Sequence, residues 1–414
     1  MTALSPLTNV FILPGLPEIA ADLGTSLAAA QFALSVGFAG LAVGLLVAGP
    51  LSDAYGRRVL MTVGLLLYVA TTLLCAFAPD ITILIVGRFL QGATGGSVWV
   101  IARAIVRDVF HARATARAFS QLAMITGVAP VIAPVIAGQI LLFTDWRGLL
   151  FTLAVLGGSV AVLAFAFMRE TLPPERRHRA GAVGRVRMLT GLLSAPFFRT
   201  FLALGIVQSA TYFTFLIMSP FVFYGDYGFN AQMFAVLFAG AALSMVIGNQ
   251  LNVLLLRRWP PDTLLRLLLL MSSVGAAAFL GATLLAAPLP VVIGTMLLIT
   301  LTTGASNSNI TALGLAPYGH IAGSAAALLG ACQFTVGALV PPLVSLIGVG
   351  GVTMGITMLI SAMVAWLIAV ATRSRLSPVF AEAMAADFGT VGEDSAEAGV
   401  LDTNQPDNIQ LKES

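Results

Sequence analysis

The sequence predicts an all-α membrane protein with 12 transmembrane helices in two six-helix pseudo-repeats. Three observations carry this. The 414 residues are 58% hydrophobic and only 9% charged, with a mean hydropathy of +0.96, whereas a soluble domain carries about 25% charged residues. Twelve apolar runs each approach the length of about 20 residues that a membrane helix needs. A basic stretch divides these runs six and six. Backbone groups cannot stay unpaired in lipid, so the runs are read as helices. Their continuous apolarity excludes an alternating-strand barrel.

In order, the runs fall roughly at 2–20, 30–51, 59–78, 81–103, 116–142, 148–168, 199–223, 231–256, 264–286, 289–312, 321–347 and 350–372. The first carries Pro6, Pro14 and Pro17. It is expected to be short and kinked, or to begin upstream of Met1. No basic leader or small-residue cleavage pattern is seen, so no cleavable signal peptide is expected. Runs two and three flank the charged turn Gly49-Pro50-Leu51-Ser52-Asp53-Ala54-Tyr55-Gly56-Arg57-Arg58. Such a turn suits a place where two membrane helices slide. Run five contains Gly127, Pro130, Pro134 and Gly138, at spacings of 3, 4 and 4, and run eleven repeats that spacing with Gly330, Gln333, Gly337 and Pro341. Phe38-Ala39-Gly40 in run two recurs as Phe238-Ala239-Gly240 in run eight. Matches in corresponding spans point to parallel repeats with a substrate site near the midplane between them. The expected organisation is an N-terminal six-helix bundle (1–168), a cytoplasmic basic linker (169–198), a C-terminal six-helix bundle (199–372) and a disordered acidic cytoplasmic tail (373–414).

Eighteen of the 20 arginines fall on one side of these spans; Arg147 falls on the other and Arg88 within a span. The positive-inside rule makes the first side cytoplasmic, with both termini there. Topology thus explains the net charge of +3 without a nucleic-acid partner. The two cysteines lie inside spans and the three histidines show no ligand spacing, so neither a disulfide framework nor a metal site is expected. No metal cluster, Ser/His/Asp set or acid pair at membrane depth supports an enzyme. No phosphate-binding GxxxxGK[ST] loop supports direct ATP use.

Run four contains Gly87-Arg88-Phe89-Leu90-Gln91-Gly92-Ala93-Thr94-Gly95-Gly96. An arginine at membrane depth costs about 2.5–3.5 kcal/mol on insertion scales, so it should face a cavity or a partner; the alternative is that it snorkels to the surface. Arg88, Gln91, Gly92, Gly95 and Trp99 share one helical face. Two prolines in run five free carbonyls and kink the helix, and the small residues beside them admit a close neighbour. Polar and aromatic groups within the spans sketch a cavity: Gln31, Gln121, Gln208, Tyr212, Asn249, Asn307, Asn309 and Gln333, with Phe11, Trp99, Phe213 and Phe215 as apolar walls. The bland reading is helix-to-helix hydrogen bonding. Ser306-Asn307-Ser308-Asn309 is the densest cluster. Aromatics and amides without an acid suit neutral or anionic lipophilic molecules better than cations.

The turn Gly49–Arg58 resembles the loop 2–3 signature of the major facilitator superfamily, with Ala54 where that signature has Arg. Arg88-Phe89-Leu90-Gln91-Gly92 is similar to the family's span-four motif, whose arginine is linked to proton coupling. Gly127–Gly138 resembles the antiporter motif of its exporter branch, with Ala129-Pro130 for Gly-Pro. Asp145-Trp146-Arg147, Arg169-Glu170-Thr171-Leu172-Pro173-Pro174-Glu175-Arg176, Met218-Ser219-Pro220-Phe221-Val222 and Leu13-Pro14-Gly15-Leu16-Pro17 look like the bicyclomycin/chloramphenicol-resistance group of 12-span drug exporters. The resemblance runs from about Pro6 to Arg375. It implies efflux of small drug-like molecules across a bacterial inner membrane, with the proton gradient as energy source and no cofactor; a monomer is expected. It also implies that Gly49, Asp53, Gly56, Arg57 and Arg58 form a conformational latch, in which Asp53 meets the positive end of a helix and nearby arginine. Helix N-termini favour anions by roughly 0.3–1 kcal/mol. The bland alternative is a plain topogenic turn.

One departure matters. The group commonly carries an acidic residue in span one, where this chain has Val10 beside Asn9. No Asp or Glu lies at membrane depth; Glu18 and Asp22 near the outer surface, Asp226 beyond span seven and Asp53 on the inside remain. A proton carrier needs a titrating group. The alternatives are therefore a metabolite or amino-acid exporter, or a uniporter without proton coupling, on the same fold.

Overall fold

The computed structural model describes residues 4–109, 113–173, 177 and 182–372, without the side chains of some helical positions among them. The expected tail, 373–414, lies outside the described residues. In chain order the helices are α1 (Leu4–Phe11), α2 (Leu16–Asp22), α3 (Leu27–Tyr55), α4 (Arg57–Ala76), α5 (Ile81–Val109), α6 (Arg113–Ile140), α7 (Trp146–Phe167), α8 (Ala182–Ser194), α9 (Pro196–Gly225), α10 (Ala231–Leu255), α11 (Pro261–Leu284), α12 (Leu289–Leu315), α13 (Ala322–Ser345) and α14 (Gly351–Ala371).

Among the described residues ten helices are long and apolar enough to cross a membrane: α3, α4, α5, α7 and α9 to α14. They match expected spans two to four and six to twelve. The first expected span is not one helix. α1 stops at Phe11, a 3-10 turn covers Leu13–Gly15, and α2 follows. Pro14 and Pro17 sit in the first turn of the pieces they enter, where a missing N–H leaves no bond unmade. The fifth expected span lies in α6, whose Val131–Ile140 part is a shorter apolar stretch. The linker contains a helix of its own, α8.

Four of the helices that begin at the end of the bundle away from the arginine-rich connectors are fixed by a side-chain cap. Ser26 accepts from Ala29 N (3.2 Å), Asp80 from Thr82 N and Ile83 N (2.8 and 2.9 Å), Asp145 from Gly148 N (3.1 Å) and Asn230 from Met233 N (2.8 Å). These bonds satisfy the orphan donors of α3, α5, α7 and α10.

Packing within each half rests on missing side chains. A Cβ on Gly40 would overlap Phe89 O, and one on Gly44 would overlap Ala93 O; from the other side, a Cβ on Gly92 would overlap Gly37 O. α3 and α5 therefore run backbone to backbone, as small residues allow in membranes. The C-terminal half repeats the device between α10 and α12, where a Cβ on Gly248 would overlap Leu301 O and one on Gly304 would lie 2.6 Å from Met245 Cγ. Tyr68 of α4 covers Gly157 of α7, and Leu280 of α11 covers Gly355 of α14.

The halves meet chiefly through α3 against α13 and α6 against α10. Ser345 donates to Gln31 Oε1, Gln232 Nε2 donates to Gly138 O (3.0 Å) and Tyr224 OH donates to Pro14 O (3.0 Å). Deeper in, Phe38 of α3 meets Phe213 of α9 edge-on at 4.7 Å and stacks on Phe334 of α13 at 6.2 Å. Phe38 is 11 residues from the start of α3 and Phe334 is 11 residues from Ser345, about 16 Å of rise in each case. All of these contacts lie in the half of the bundle away from the arginine-rich end.

Gly92→Ala should lower thermal stability in detergent by about 1–3 kcal/mol, because a Cβ there forces two backbones apart. Gly158→Ala, with open space around the new carbon, should leave it unchanged. Scanning fluorimetry of the two variants decides; equal melting would show that the close approach is not needed.

Candidate functional site

The charged turn builds a cluster around Arg57. Gly56 ends α3 at φ 98°, and a Cβ there would lie 2.5 Å from Glu170 Oε2. Only glycine fits such a turn without strain, and it aims Arg57 back at α3. Arg57 is 2% exposed. Its Nη2 lies 2.7 Å from Asp53 Oδ1, its Nε 2.9 Å from Asp108 Oδ2 at the end of α5, and its Nη1 donates to Ser52 Oγ. A buried guanidinium between two carboxylates meets the condition under which a buried charge is tolerated. Glu170 completes the cluster from the chain after α7. It accepts from Arg57 N (2.9 Å), Arg58 N (3.3 Å), Thr171 N (3.0 Å) and Leu172 N (3.0 Å), with Arg177 Nη2 at 3.7 Å. Arg58 points elsewhere and donates to Phe165 O (3.2 Å). The carboxylate at the positive end of a helix, expected to be Asp53, is Glu170 at the start of α4; Asp53 is occupied by Arg57. Gly49 packs against Val100 of α5.

Arg88 does not snorkel. It is 2% exposed and donates from Nη1 to Gln91 Oε1 (2.5 Å) and from Nη2 to Asn9 Oδ1 (2.9 Å). Gln91 passes the chain on to Thr72 Oγ1 (2.8 Å), which donates to Tyr68 O (2.6 Å); Tyr68 OH bonds Thr8 Oγ1 (2.5 Å). α1, α4 and α5 are thus tied by one polar chain. Gly37 makes room for it, with its Cβ site 3.1 Å from Asn9 Oδ1. Both hydrogen-bonded partners of the guanidinium are neutral amides.

The remaining candidates fall in separate places. Gln31 belongs to the contact between the halves, with its Nε2 unpartnered. Asn309 is 2% exposed and exchanges two hydrogen bonds with Asn252 (3.2 and 2.8 Å), which stitch α12 to α10. Asn307, beside it, is half-buried. Trp99 carries Arg103 over its ring at 5.3 Å. Pro134 and Gly138 are buried, and Gly138 packs on Ala235, with its Cβ site 3.1 Å from the Ala235 methyl. The side chains of Gly127 and Pro130 lie outside the described residues. Gln208 and Tyr212 lie on α9, and Gln333 lies on α13, which packs against it. Gln208 is 1% exposed and donates to Thr303 Oγ1 at 3.4 Å, while its Oε1 lacks a partner. Gln333 lies over Gly205 and accepts at its carbonyl from Ser209 (3.0 Å), with Nε2 unpartnered. Thr211 and Thr214 add two more unpartnered hydroxyls on α9. Tyr212 packs on Phe213 at 5.5 Å.

Several residues of these networks were not singled out from the sequence, among them Thr8, Tyr68, Asn252, Asp108, Glu170 and Thr72. Asp108 ends a helix beside Arg107 and reads as surface; Glu170 reads as part of a polar linker; Thr72 reads as a helix-surface hydroxyl. Their signal is spatial: each meets a partner 19 or more residues away.

Burial would raise the Glu170 pKa, but the N–H groups of Leu172, Arg57 and Arg58 and the charge of Arg177 hold it below the usual glutamate value. A depressed carboxyl means that the unfolded chain binds more protons, so stability rises with pH. The contribution is full above the unfolded value of about 4.3 and is lost as pH falls through the lower folded value. Glu170→Gln should therefore melt lower than the parent at pH 7 and lose the extra fall on acidification below pH of about 4. Parallel melting curves that track each other would refute this.

The family model described as Major Facilitator Superfamily matches residues 1–342. The chain is 34% identical over 367 residues to the uncharacterized MFS-type transporter YdgK of Bacillus subtilis, covering 88% of this chain and 91% of that one. It is 36% identical over 236 residues to multidrug resistance protein MdtL of Salmonella heidelberg, 57% of this chain and 59% of that one. Among solved structures, a D-xylose–proton symporter superposes with a TM-score of 0.67 at 15% identity, over 88% of this chain and 96% of that one. The last likeness speaks for the fold alone. A family match over most of the chain, a relative aligned along nearly its whole length and helices long enough to cross a membrane agree: this multi-pass membrane protein is a transporter of the major facilitator superfamily, not an enzyme.

Proposed function

We propose that the chain exports small drug-like molecules, of phenicol or bicyclomycin type, across a bacterial inner membrane by alternating access. The supporting observation is the placing of the contacts between the halves. The three hydrogen bonds and the Phe38–Phe213–Phe334 cluster all lie away from the arginine-rich end. With that end in the cytoplasm, both termini are cytoplasmic and this conformation is closed to the outside. The substrate meets the halves on the cytoplasmic side of the aromatic cluster, where Gln208 Oε1 and Gln333 Nε2 are unpartnered amide atoms and Tyr212 adds a ring. Apolar walls with a few convergent polar groups characterise ligand sites. Trp99 and Asn307 extend this lining toward the cytoplasm. The multidrug name of one relative favours a drug-like cargo. The cluster of Gly49, Asp53, Gly56, Arg57 and Arg58 and the α6 stripe of Gly127, Pro130, Pro134 and Gly138 act as the moving joints, in a protein working as a monomer.

A second reading, transport without protons, has an observation in its favour. The resemblance implies proton antiport coupled through Arg88 and Gln91. The residue facing Arg88 from α1 is Asn9, which cannot titrate. Among the described residues every carboxylate lies within a turn of a helix end or in a connector. A metabolite or amino-acid cargo on the same fold goes with this reading.

In a Cys75→Ala, Cys332→Ala background, Gln31→Cys with Ser345→Cys should form an oxidisable crosslink that abolishes chloramphenicol efflux from cells, with a reductant restoring it. Full efflux with the crosslink formed would exclude alternating access through this contact. In inside-out vesicles, drug-dependent proton release lost in Arg88→Ala would establish the antiporter; drug uptake without proton movement would establish the second reading.

A further inference from the structure

We propose that the exported molecule is a small organic anion, in place of the neutral phenicol or bicyclomycin type, and that the membrane potential alone drives it out; this rests on the second reading above, export on this fold without protons. The observation is a fixed positive charge without a counter-charge. Arg88 lies seven residues into α5, about 10 Å from its start, and both of its hydrogen-bonded partners are neutral amides. Among the described residues no carboxylate bonds it: α2, which lines the neighbouring void, carries Glu18, which is exposed, and Asp22, which pairs with Arg147. α1 presents Asn9, α3 presents Gly37, and α4 contributes Thr72 through Gln91, with Tyr68 and Cys75 nearby. On its other side, Ile12, Leu16, Ala33, Leu34 and Leu84 line a void of about 10 Å³ that Arg88 also borders, at the lower limit of what one water needs. The charge is therefore neither neutralised nor well hydrated.

A second cation lies on the same stripe of α5. Arg103 is exposed and stacks on Trp99 one turn above it; at 3.6 residues per turn residues 88 and 99 lie about 20° apart and residue 103 about 60° from residue 88. A molecule moving along α5 from the arginine-rich end passes Arg103, then Trp99, and ends in the field of Arg88. In a low-dielectric path such a field acts without contact, drawing anions and excluding cations.

The energetics then close without a proton. A uniporter can only equilibrate a neutral molecule. A monovalent anion leaving an inside-negative cell gains about 2.3 kcal/mol per 100 mV, about a 50-fold outward gradient. Arg88 sets the sign of the cargo and the potential supplies the drive.

The test uses the purified full-length protein in liposomes with a potassium diffusion potential and no pH gradient. The probes are labelled benzenesulfonate, a permanent anion that cannot carry a proton, and chloramphenicol, which is neutral. An inside-positive potential of 100 mV should accumulate benzenesulfonate toward about 50-fold, and a pH gradient alone should accumulate none. Arg88→Gln should lose this, and Arg88→Lys should keep part of it. Asn9→Asp matches the shape of Asn9 while cancelling the charge; it should lose benzenesulfonate uptake yet still equilibrate chloramphenicol. Chloramphenicol transport with benzenesulfonate excluded would overturn the anion proposal and leave the exporter reading standing. Benzenesulfonate uptake that follows the pH gradient, or survives Arg88→Gln and Asn9→Asp undiminished, would also overturn it. Transport of neither probe would overturn both readings.

Discussion

Backbone-to-backbone contact between α3 and α5, and its repeat between α10 and α12, is the constraint on which the rest depends. Lipid offers no hydrophobic drive for helices to associate, so they hold by close packing and hydrogen bonds. Gly40, Gly44 and Gly92 remove the side chains that would keep α3 and α5 apart. Gly248 and Gly304 do the same in the second half. Packed interiors deform little, so each pair is stiff. The compliant places are then the contact between halves and the turns that end these helices.

The polar groups follow that division. The Arg57 cluster ties α3, α4, α5 and the start of the linker on one side of the first half. The chain from Arg88 through Gln91 to Thr72, and from Tyr68 to Thr8, ties α1, α4 and α5 at membrane depth. Neither network reaches the other half. The halves touch through neutral groups and rings, contacts that break without stranding a buried charge, and stranding one is among the costlier events in a protein. A transporter must remake its central interface in every cycle, so this separation of charge from the moving surface suits the task.

Much of the fold was legible because lipid makes composition speak. Run lengths gave ten long helices with nearly correct limits, since a membrane helix cannot hide its polar ends. The first span was harder. Its apolarity reads as one helix, while Pro14 and Pro17 break it into pieces that composition cannot distinguish from a kinked whole. The importance of Arg88 was legible from its depth, but not the identity of its partners, because Asn9 and Arg88 are 79 residues apart. Asn309 illustrates the opposite error of inference: a dense polar cluster looks like a binding site, whereas its amide pairs with Asn252. Sequence shows that an amide sits in a membrane; only packing shows whether it faces a neighbour or a cavity. Glu170 was read as part of a linker, since nothing local reveals that a carboxylate will cap a helix more than 100 residues earlier.

The seal between the halves joins amide to hydroxyl, amide to carbonyl, phenol to carbonyl and ring to ring. Under the proposed topology this seal faces the world outside the cytoplasm. Salt screens charges over about 10 Å at 0.1 M, and acid converts carboxylates, but neither acts strongly on neutral pairs. The pairs that close the door carry no charge themselves, and the carboxylate whose field reaches Tyr224 is Glu18. Under that topology, salt outside has little charge to screen at the seal itself, while the charged Arg57 cluster stands at the other end.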